Sequence, residues 1–364
     1  MLKEIIFGVV GGLGLFIFGI HIMSEGMQKI AGDRLRNVIA KFTKNRFTGL
    51  LTGAGVTSLI QSSSVMTVMV VGFINAGLMT FGNSISVILG ANIGTTITAQ
   101  LVAFKLTQYA LPLVGIGSFL YFFGRNRKQR NYGQAIFGFG AIFLGLNIMT
   151  GVVKPLAGSG ALNDIIVTFS QNPLLGIIVG MITTELVQSS SVTTGVIVGL
   201  ASTGLIDLGA AIPLILGTNI GTTITAVIAS LKTTISARRA AAAHVGFNVL
   251  GVVIAFFLMP IYSNLAIISS TSVARQVANT HTMFNVVNAL IFLPFIPLYA
   301  KLIKKVVPGE DIIVQKGPRF LEKHLIKTPA IALESAKKEL VRMLGLAQEA
   351  VNDAMGGYLN NDLK

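Results

Sequence analysis

The sequence predicts an all-α polytopic membrane protein composed of two inverted-topology repeats, because of its composition, its apolar runs and an internal repeat. Of its 364 residues, 52% are hydrophobic and only 12% are charged, whereas a soluble domain carries about 25% charged residues. A surface with so few charges must largely face lipid. Several apolar runs approach the roughly 20 residues that a helix needs to cross a bilayer. The clearest runs are Ile5–Ser24, Gln108–Gly124, Ala135–Met149, Ala240–Ile261 and Phe284–Ala300.

The internal repeat relates two segments that lie 127 residues apart. Thr57–Lys105 aligns with Thr184–Lys232 without gaps, and just over half of the aligned positions are identical. Further upstream, Gly12–Met23 matches Gly138–Met149 in its glycines and in its final Ile-Met. Two polar strings recur within the repeat, QSSS at Gln61–Ser64 and Gln188–Ser191, and NIGTTITA at Asn92–Ala99 and Asn219–Ala226.

Basic loops predict how the two copies are oriented in the membrane. Cytoplasmic loops carry an excess of Lys and Arg, and the loop after the first apolar run is basic, as is the string Arg125–Arg130. The equivalent loop of the second copy, Gly151–Pro173, is near neutral. The copies are therefore expected to be inverted relative to each other, in the cell (inner) membrane, with the N-terminus outside and the C-terminus cytoplasmic. The basic residues of the first loop are Arg34, Arg36, Lys41, Lys44 and Arg46.

The inversion requires the two motif segments of each copy to make an odd number of crossings. The simplest solution is a re-entrant hairpin with QSSS at its tip and a spanning helix that is broken at the Asn-Ile-Gly-Thr-Thr segment, where glycines suit unwinding. The predicted domains are a first transmembrane repeat (1–130), a second repeat with a final helix (131–305), and a cytoplasmic linker with an amphipathic helix (306–364). That helix is expected at Thr328–Gly356, with Leu333, Leu340 and Leu344 on one face.

The two motifs place neutral hydrogen-bonding groups where a lipid-facing helix would have Leu or Ile. Hydroxyl and amide groups can hold an oxyanion by donation and a small cation through their lone pairs. Thr57–Phe104 contains no Asp, Glu, Lys or Arg, so bound cations must balance the charge of a bound anion. The motifs are therefore predicted to bind an anion and Na⁺ together. Small and hydroxyl residues often serve only to join membrane helices, but two identical motif pairs at one spacing favour a binding site.

Other polar residues are weighed separately. Glu185, which stands where the first copy has Ser58, is either a cation ligand or proton carrier or a loop-facing carboxylate. The pattern HxxFN at His244–Asn248 and His281–Asn285 is assigned to polar packing between helices, and His21 is expected to face the membrane interface. The sequence contains no nucleotide-binding loop and no nucleophile elbow, so no catalytic residue is predicted. Basic residues confined to short loops predict no nucleic-acid partner.

The paired QSSS and G-x-N-I-G-T-T motifs, at these separations, resemble those of the type II sodium/phosphate cotransporter family in its bacterial form, over roughly residues 8–305. The resemblance implies a symporter that couples Na⁺ entry to the uptake of inorganic phosphate, with Na⁺ as the co-transported ion and the lipid bilayer as surroundings. A homodimer stays open on a separate ground, since the amphipathic helix of the tail has an apolar face that could pack against the membrane domain or a second subunit. The tail from about Phe320 resembles the start of a PhoU-like helical domain.

The residues and the resemblance together give the expected site. Phosphate is assigned to Gln61, Ser62, Ser63, Ser64, Asn92, Gln188, Ser189, Ser190, Ser191 and Asn219. Na⁺ is assigned to Gln61, Ser64, Thr67, Thr95, Thr96, Glu185, Gln188, Ser191, Thr194, Thr222 and Thr223. Two other functions stay open, namely Na⁺- or H⁺-coupled transport of another anion and a phosphate-sensing membrane regulator that acts through the C-terminal tail.

Overall fold

The computed structural model describes residues 2–32, 34–43, 45–104, 106–153, 172–309, 320–321 and 329–359. Within these ranges the chain is almost entirely helical and contains no β-strand, as the all-α prediction requires. The chain divides into two compact units, Met1–Glu310 and Asp311–Lys364. Three parts of the sequence on which the predicted orientation and linker depend lie wholly or mostly outside the described residues: Lys44, the loop 151–173 and the linker 308–318.

The helices follow the order of the sequence repeat. The first half contains α1 (Leu2–Ala31), α2 (Arg34–Phe42), α3 (Arg46–Ile60), α4 (Ser63–Asn75), α5 (Phe81–Val102), a 3₁₀ turn (Thr107–Tyr109), α6 (Ala110–Phe123) and α7 (Arg127–Val153). The second half contains α8 (Pro173–Val187), α9 (Ser190–Thr203), α10 (Leu208–Gly221), α11 (Ile224–Ser230), α12 (Ile235–Phe257), α13 (Met259–Ser269), α14 (Val273–Val306) and α15 (Pro329–Leu359). The pairs α3–α4 and α8–α9 therefore hold the two QSSS strings at their junctions.

Six helical segments of the described ranges are long and apolar enough to cross a membrane, which confirms the prediction of a polytopic membrane protein. The predicted run 108–124 forms α6, which has only 14 residues. The candidate spans are Lys3–Ala31, Phe81–Val102, Arg127–Val152, Leu208–Ser230, Ile235–Phe257 and Val273–Val306.

The helix that carries the first Asn-Ile-Gly-Thr-Thr segment is unbroken, because α5 runs through it from end to end. The prediction of a broken helix is therefore wrong for this copy. In the second copy α10 ends at Gly221 and α11 begins at Ile224. The two residues between them keep near-helical dihedral angles, with φ and ψ of −63° and −18° at Thr222 and −72° and −19° at Thr223. The interruption is a short turn rather than an unwound stretch.

The glycines of this segment permit close helix packing, which explains why they do not unwind it. A Cβ atom on Gly90 would lie 2.0 Å from the carbonyl oxygen of Leu50 in α3, and one on the equivalent Gly217 would lie 2.1 Å from that of Ile177 in α8. Backbones approach this closely only where a residue lacks a side chain. Each long helix is thereby held against the helix that precedes its own QSSS string.

The upstream part of the repeat forms a second close contact, between α1 and α7. A Cβ atom on Gly12 would lie 2.9 Å from the carbonyl oxygen of Gly145, and one on Gly19 would lie 2.8 Å from that of Gly138. The repeated glycines therefore meet in one helix pair, where Gly12 faces the repeat equivalent of Gly19 and Gly19 faces that of Gly12. The contact packs α1 closely against α7.

The second unit contains α15, which agrees with the amphipathic helix expected at 328–356. Its apolar residues Leu333, Leu340 and Leu344 are exposed. Within the unit, Glu339 accepts a hydrogen bond of 2.9 Å from the backbone N–H of Phe320.

Candidate substrate-binding cavity

All eight residues of the two QSSS strings line a single cavity of about 440 Å³ in the first unit. The strings are far apart in sequence, but the junctions α3–α4 and α8–α9 meet at this cavity. Its volume lies in the range of small-ligand sites. The structure thus brings together the two motifs that the sequence predicted to form one site. The rest of the wall is Val65, Val187, Val192 and six residues of α1, namely Ile17, Ile20, His21, Ser24, Glu25 and Gln28.

Each QSSS string begins at a sharp break between two helices. Gln61 has φ 56° and ψ 28°, and Gln188 has φ 56° and ψ 23°. In the described part of the chain, these two are the non-glycine residues with positive φ. A side chain in the left-handed region costs about 1–3 kcal/mol, and such strain concentrates at functional sites. Both copies therefore place the same unfavourable backbone conformation at the same position of the motif.

The serines that follow begin the second helix of each pair. Ser62 is the N-cap of α4 and accepts a hydrogen bond of 3.3 Å from the N–H of Val65, and Ser189 caps α9 by accepting one of 3.3 Å from Val192. The first N–H groups of a helix have no partner within it. The amides of the next two serines in each copy are therefore available to a ligand. Two helix N-termini, with their positive dipole ends, reach the same cavity, which suits an anion.

The helices that precede the breaks bring carbonyl oxygens to the same region. Ile60 O accepts a hydrogen bond of 2.9 Å from Ser24 Oγ, and Gln188 O accepts one of 3.4 Å from Ser64 Oγ. The second contact joins the motif of one copy to the motif of the other. Carbonyl groups at interrupted membrane helices are typical ligands of Na⁺. Each break therefore offers N–H donors for an anion and carbonyl oxygens for a cation.

The polar residues of α1 form a wall that sequence reasoning missed. His21, Ser24, Glu25 and Gln28 line the cavity, whereas His21 was predicted at the membrane interface. Residues three, four and seven positions apart share one face of a helix. A signal was therefore present in the sequence, as a polar stripe on a helix that is otherwise apolar enough to span the membrane.

The carboxylate in this wall is neutralised by its neighbours. Glu25 Oε1 lies 2.8 Å from Lys29 Nζ, and Gln134 Nε2 of α7 donates a hydrogen bond of 2.7 Å to Glu25 Oε2. Lys29 Nζ also donates to Gln134 Oε1 at 3.2 Å, which closes a triangle of polar contacts. Among the described residues that line the cavity there is no Lys or Arg. The Glu25 carboxylate of the wall is thus balanced by Lys29, which lies outside the lining.

The two motif asparagines lie outside the cavity lining and join helices. Asn92 Nδ2 donates a hydrogen bond of 3.1 Å to Asn248 Oδ1, and Asn285 Nδ2 donates one of 3.0 Å to Asn219 Oδ1. Their partners are the asparagines of the two HxxFN patterns. The prediction that these patterns serve polar packing between helices is confirmed for the asparagines, and His244 and His281 are buried beside them.

The threonines assigned to Na⁺ lie behind the cavity wall. Thr67 Oγ1 donates to Ser63 O at 2.8 Å within α4, and Thr194 Oγ1 lies 3.5 Å from Thr218 Oγ1. The hydroxyl of Thr96 donates to Ile93 O within α5, and that of Thr223, in the turn after α10, donates to Ile220 O. The hydroxyls of Thr95 and Thr222 are buried without a hydrogen-bond partner. Glu185 is partly exposed in α8 and is not among the described residues of the lining.

Polar helix breaks from two sequence repeats that line one cavity inside an all-helical membrane protein define a membrane transporter. Comparison with known families agrees with this class. The chain belongs to the Na⁺/Pi-cotransporter family, whose model matches residues 15–151 and again residues 152–295. The resemblance inferred from the paired motifs is thereby confirmed, and the two matches correspond to the two copies of the internal repeat.

Two of the three relatives described below carry names that concern phosphate. The protein YqeW of Bacillus subtilis (strain 168), described as uncharacterized, is 32% identical over 237 residues, 65% of this chain and 77% of that protein. In Escherichia coli (strain K12), the protein named provisionally as the inorganic phosphate export protein YjbB is 26% identical over 356 residues, 97% of this chain but only 65% of that protein. The sodium-dependent phosphate transport protein 2A of Rattus norvegicus is 45% identical over 78 residues, 21% of this chain and 12% of that protein. No solved structure matches the chain significantly.

Proposed function

We propose that this protein is a secondary active symporter that couples Na⁺ entry to the uptake of inorganic phosphate. The observation that carries the proposal is the single cavity lined by both QSSS strings, where two helix N-termini meet without a Lys or Arg among the described lining residues. Free amide and hydroxyl donors suit a tetrahedral oxyanion. Membership of the Na⁺/Pi-cotransporter family supports phosphate as that anion.

The need for Na⁺ follows from the charge of the cavity. A phosphate site normally recruits Arg or Lys, and this wall offers instead a carboxylate already paired with Lys29. Moving one elementary charge through 100 mV is worth about 2.3 kcal/mol, so a divalent anion entering an inside-negative cell alone would face about 4.6 kcal/mol. Two accompanying Na⁺ ions would cancel that work and also balance the anion within the site.

The residues divide between the two ions by the polarity of their groups. Phosphate is proposed to contact the amides and hydroxyls of Ser63, Ser64, Ser190 and Ser191, with the capping serines and both glutamines around it. Na⁺ is proposed to bind carbonyl and side-chain oxygens at the helix breaks. The asparagines and threonines of the predicted site would then act indirectly, by holding α5 and α10 behind the wall.

The inverted repeats and the re-entrant hairpins are part of the same proposal. The helices α3 and α4 have 15 and 13 residues, so at 1.5 Å per residue they are about 22 and 20 Å long. The hydrocarbon core is about 30 Å thick. Two consecutive helices of this length fit a segment that enters the membrane, turns at QSSS and returns, and α8 and α9 repeat the arrangement.

Phosphate export is a second candidate, because YjbB, which matches 97% of this chain, is named as an export protein. A symporter moves its substrates in the direction that the summed gradients favour. The same cavity could therefore support uptake or export of phosphate. The direction of transport depends on the Na⁺ and phosphate gradients, which an experiment can set.

The test is ³²P-phosphate uptake into proteoliposomes with the Na⁺ gradient directed inward, directed outward or absent. Uptake driven by the inward gradient and lost in the double variant Gln188→Ala/Ser190→Ala is the expected result. Ser202→Ala is the matched control, because Ser202 lies on the same helix α9 and its hydroxyl donates to Gly199 O, away from the cavity. Uptake that ignores Na⁺ would contradict the coupling, and inserted protein that moves no phosphate would favour another anion or the sensor function.

A further inference from the structure

The two glutamines of the QSSS strings share one backbone conformation but differ in the state of their side chains. Gln61 is only 5% exposed. Its Nε2 donates a hydrogen bond to Ser58 O, and its Oε1 accepts one of 2.6 Å from Thr98 Oγ1. Gln188 is exposed, and its side-chain amide makes no hydrogen bond to the described residues. One amide is therefore held inside the protein while the other is free.

The residue that holds Gln61 has an equivalent in the second copy. Thr98 is the last threonine of NIGTTITA, 37 residues after Gln61, and Thr225 occupies the same position 37 residues after Gln188. Thr225 Oγ1 donates instead to Thr222 O at 3.1 Å. It lies in α11, after the short turn that interrupts this copy, whereas Thr98 lies in the continuous helix α5. Identical local sequences thus adopt two different arrangements in one structure.

Thr98 also reaches the motif of the other copy. Its Oγ1 lies 3.3 Å from Ser191 Oγ, and the side chain is 1% exposed. Holding Gln61 in the first copy therefore also fixes a cavity serine of the second copy. A second contact also links the first copy to the second, because Ser64 Oγ donates to Gln188 O at 3.4 Å.

We propose that Thr98 and Thr225 are positioning residues that hold Gln61 and Gln188 in alternation, one in each of the two conformations of the transport cycle. In the conformation described here Thr98 holds Gln61 and leaves Gln188 to the substrate. In the opposite conformation Thr225 holds Gln188, and Gln61 is released. The inference rests on the proposed function, since it assumes that the cavity opens alternately to the two sides of the membrane.

The exchange is consistent with the chemistry of the groups. One hydroxyl-to-amide hydrogen bond is broken and one of the same type is formed, so neither conformation gains a bond over the other. An alternation of this kind requires both conformations to be close in free energy. A purely structural role for Thr98 would instead leave Thr225 without influence on the conformation.

Single-cysteine labelling can test the proposal, because the natural chain contains no cysteine. Ile17→Cys places a thiol on the α1 wall of the cavity. The rate of its modification by a membrane-impermeant maleimide, applied from each side of the membrane in turn, gives the ratio of the two conformations. The measurement needs neither phosphate nor transport.

Thr98→Val should shift the labelling ratio toward the opposite side by about fivefold, the effect of losing one net hydrogen bond. Thr225→Val should shift it by a similar factor the other way, and the double variant should return close to the parent ratio. Thr98→Ser and Thr225→Ser keep the hydroxyl and should label like the parent, which separates the hydrogen bond from effects on folding.

Equal ratios in Thr225→Val and the parent, or shifts of both valine variants toward the same side, would overturn the proposal. The outcomes also separate it from the proposed function. Opposite labelling shifts in a protein that moves no phosphate would support the alternation and reject phosphate as the substrate. Na⁺-driven phosphate uptake, with a labelling ratio that neither valine variant changes, would support the proposed function and reject the alternation.

Discussion

Asn92 Nδ2 of α5 lies 3.1 Å from Asn248 Oδ1 of α12, and both side chains are buried. The second copy has a matching contact between α10 and α14, where Asn285 Nδ2 lies 3.0 Å from Asn219 Oδ1. Each long helix of a repeat is therefore tied to a later helix by one amide pair. The helices α5 and α10 lie behind the cavity wall. The two asparagine pairs therefore support the wall without contacting a molecule bound in the cavity.

Replacing one member of this pair should destabilise the protein. In Asn248→Leu the buried amide of Asn92 loses its acceptor, which costs about 1–3 kcal/mol. Asn92→Leu/Asn248→Leu should recover part of that loss, because no polar group is then left unpaired. Unfolding measured in detergent or bicelles checks this, with exposed Asn147→Leu as the control. Simple addition of the two single effects would contradict the coupling.

The ion pair beside the cavity gives a second prediction. Lys29→Met leaves the Glu25 carboxylate uncompensated in the wall of an anion site, so phosphate should bind more weakly. Because the pair is partly exposed, the expected rise in the half-saturating phosphate concentration is roughly two- to fivefold. Adding Glu25→Gln should reverse the rise. Phosphate titrations of Na⁺-driven uptake measure it, and a rise that persists in the double variant would show that Lys29 acts through something other than charge.

The close contact of α5 with α3 gives a third prediction. Gly90→Ala would place a Cβ atom 2.0 Å from Leu50 O, and a backbone atom cannot move aside as a flexible side chain can. Overpacking of this type costs about 1–3 kcal/mol. Gly82→Ala is the matched control on the same helix, since its Cβ would meet nothing within 4 Å. Thermal stability of the purified variants should fall for the first and stay unchanged for the second.

The end of α14 gives a fourth prediction. The guanidinium of Arg239 donates to Val307 O at 3.0 Å through Nε and to Gly309 O at 2.6 Å through Nη2. Arg239→Met removes both bonds, so amide hydrogen exchange at the end of α14 should accelerate, because the backbone there loses its anchor. The neighbouring Arg238 is exposed, and Arg238→Met should leave exchange unchanged. Equal exchange in both variants would mean that the anchor contributes nothing.

Composition and periodicity sufficed to predict the helical membrane fold, because lipid exposure and the repeat leave direct marks on the sequence. The convergence of Gln61 and Gln188 was predictable too, since two identical polar motif pairs at one spacing favour a shared binding site over simple helix packing. The polar stripe on α1 has the spacing of one helix face, but the repeated motifs do not point to it. Ser24 and Gln28 occur singly and belong to no repeated string.

The remaining differences could not be read from local sequence. NIGTTITA forms part of a continuous helix in the first copy and spans a turn in the second, so the surroundings decide its form. Gln61 and Gln188 likewise share their neighbours in sequence but not their side-chain contacts. The glycines that were predicted to unwind α5 instead permit close packing against α3. The sequence alone could not distinguish these roles, because the position of α3 decides whether a glycine faces open space or a backbone.

The helix breaks at the two QSSS strings have a consequence for how the ions load. Each break sets amide donors and carbonyl acceptors within one turn of chain, so an anion and a cation held there would each act as the counter-charge of the other. Thermodynamic linkage then requires that Na⁺ tighten phosphate by the same factor by which phosphate tightens Na⁺. A cavity partly filled with one ion alone would be the least stable state. Such a cavity would suppress uncoupled leak of either ion without a separate gate for each.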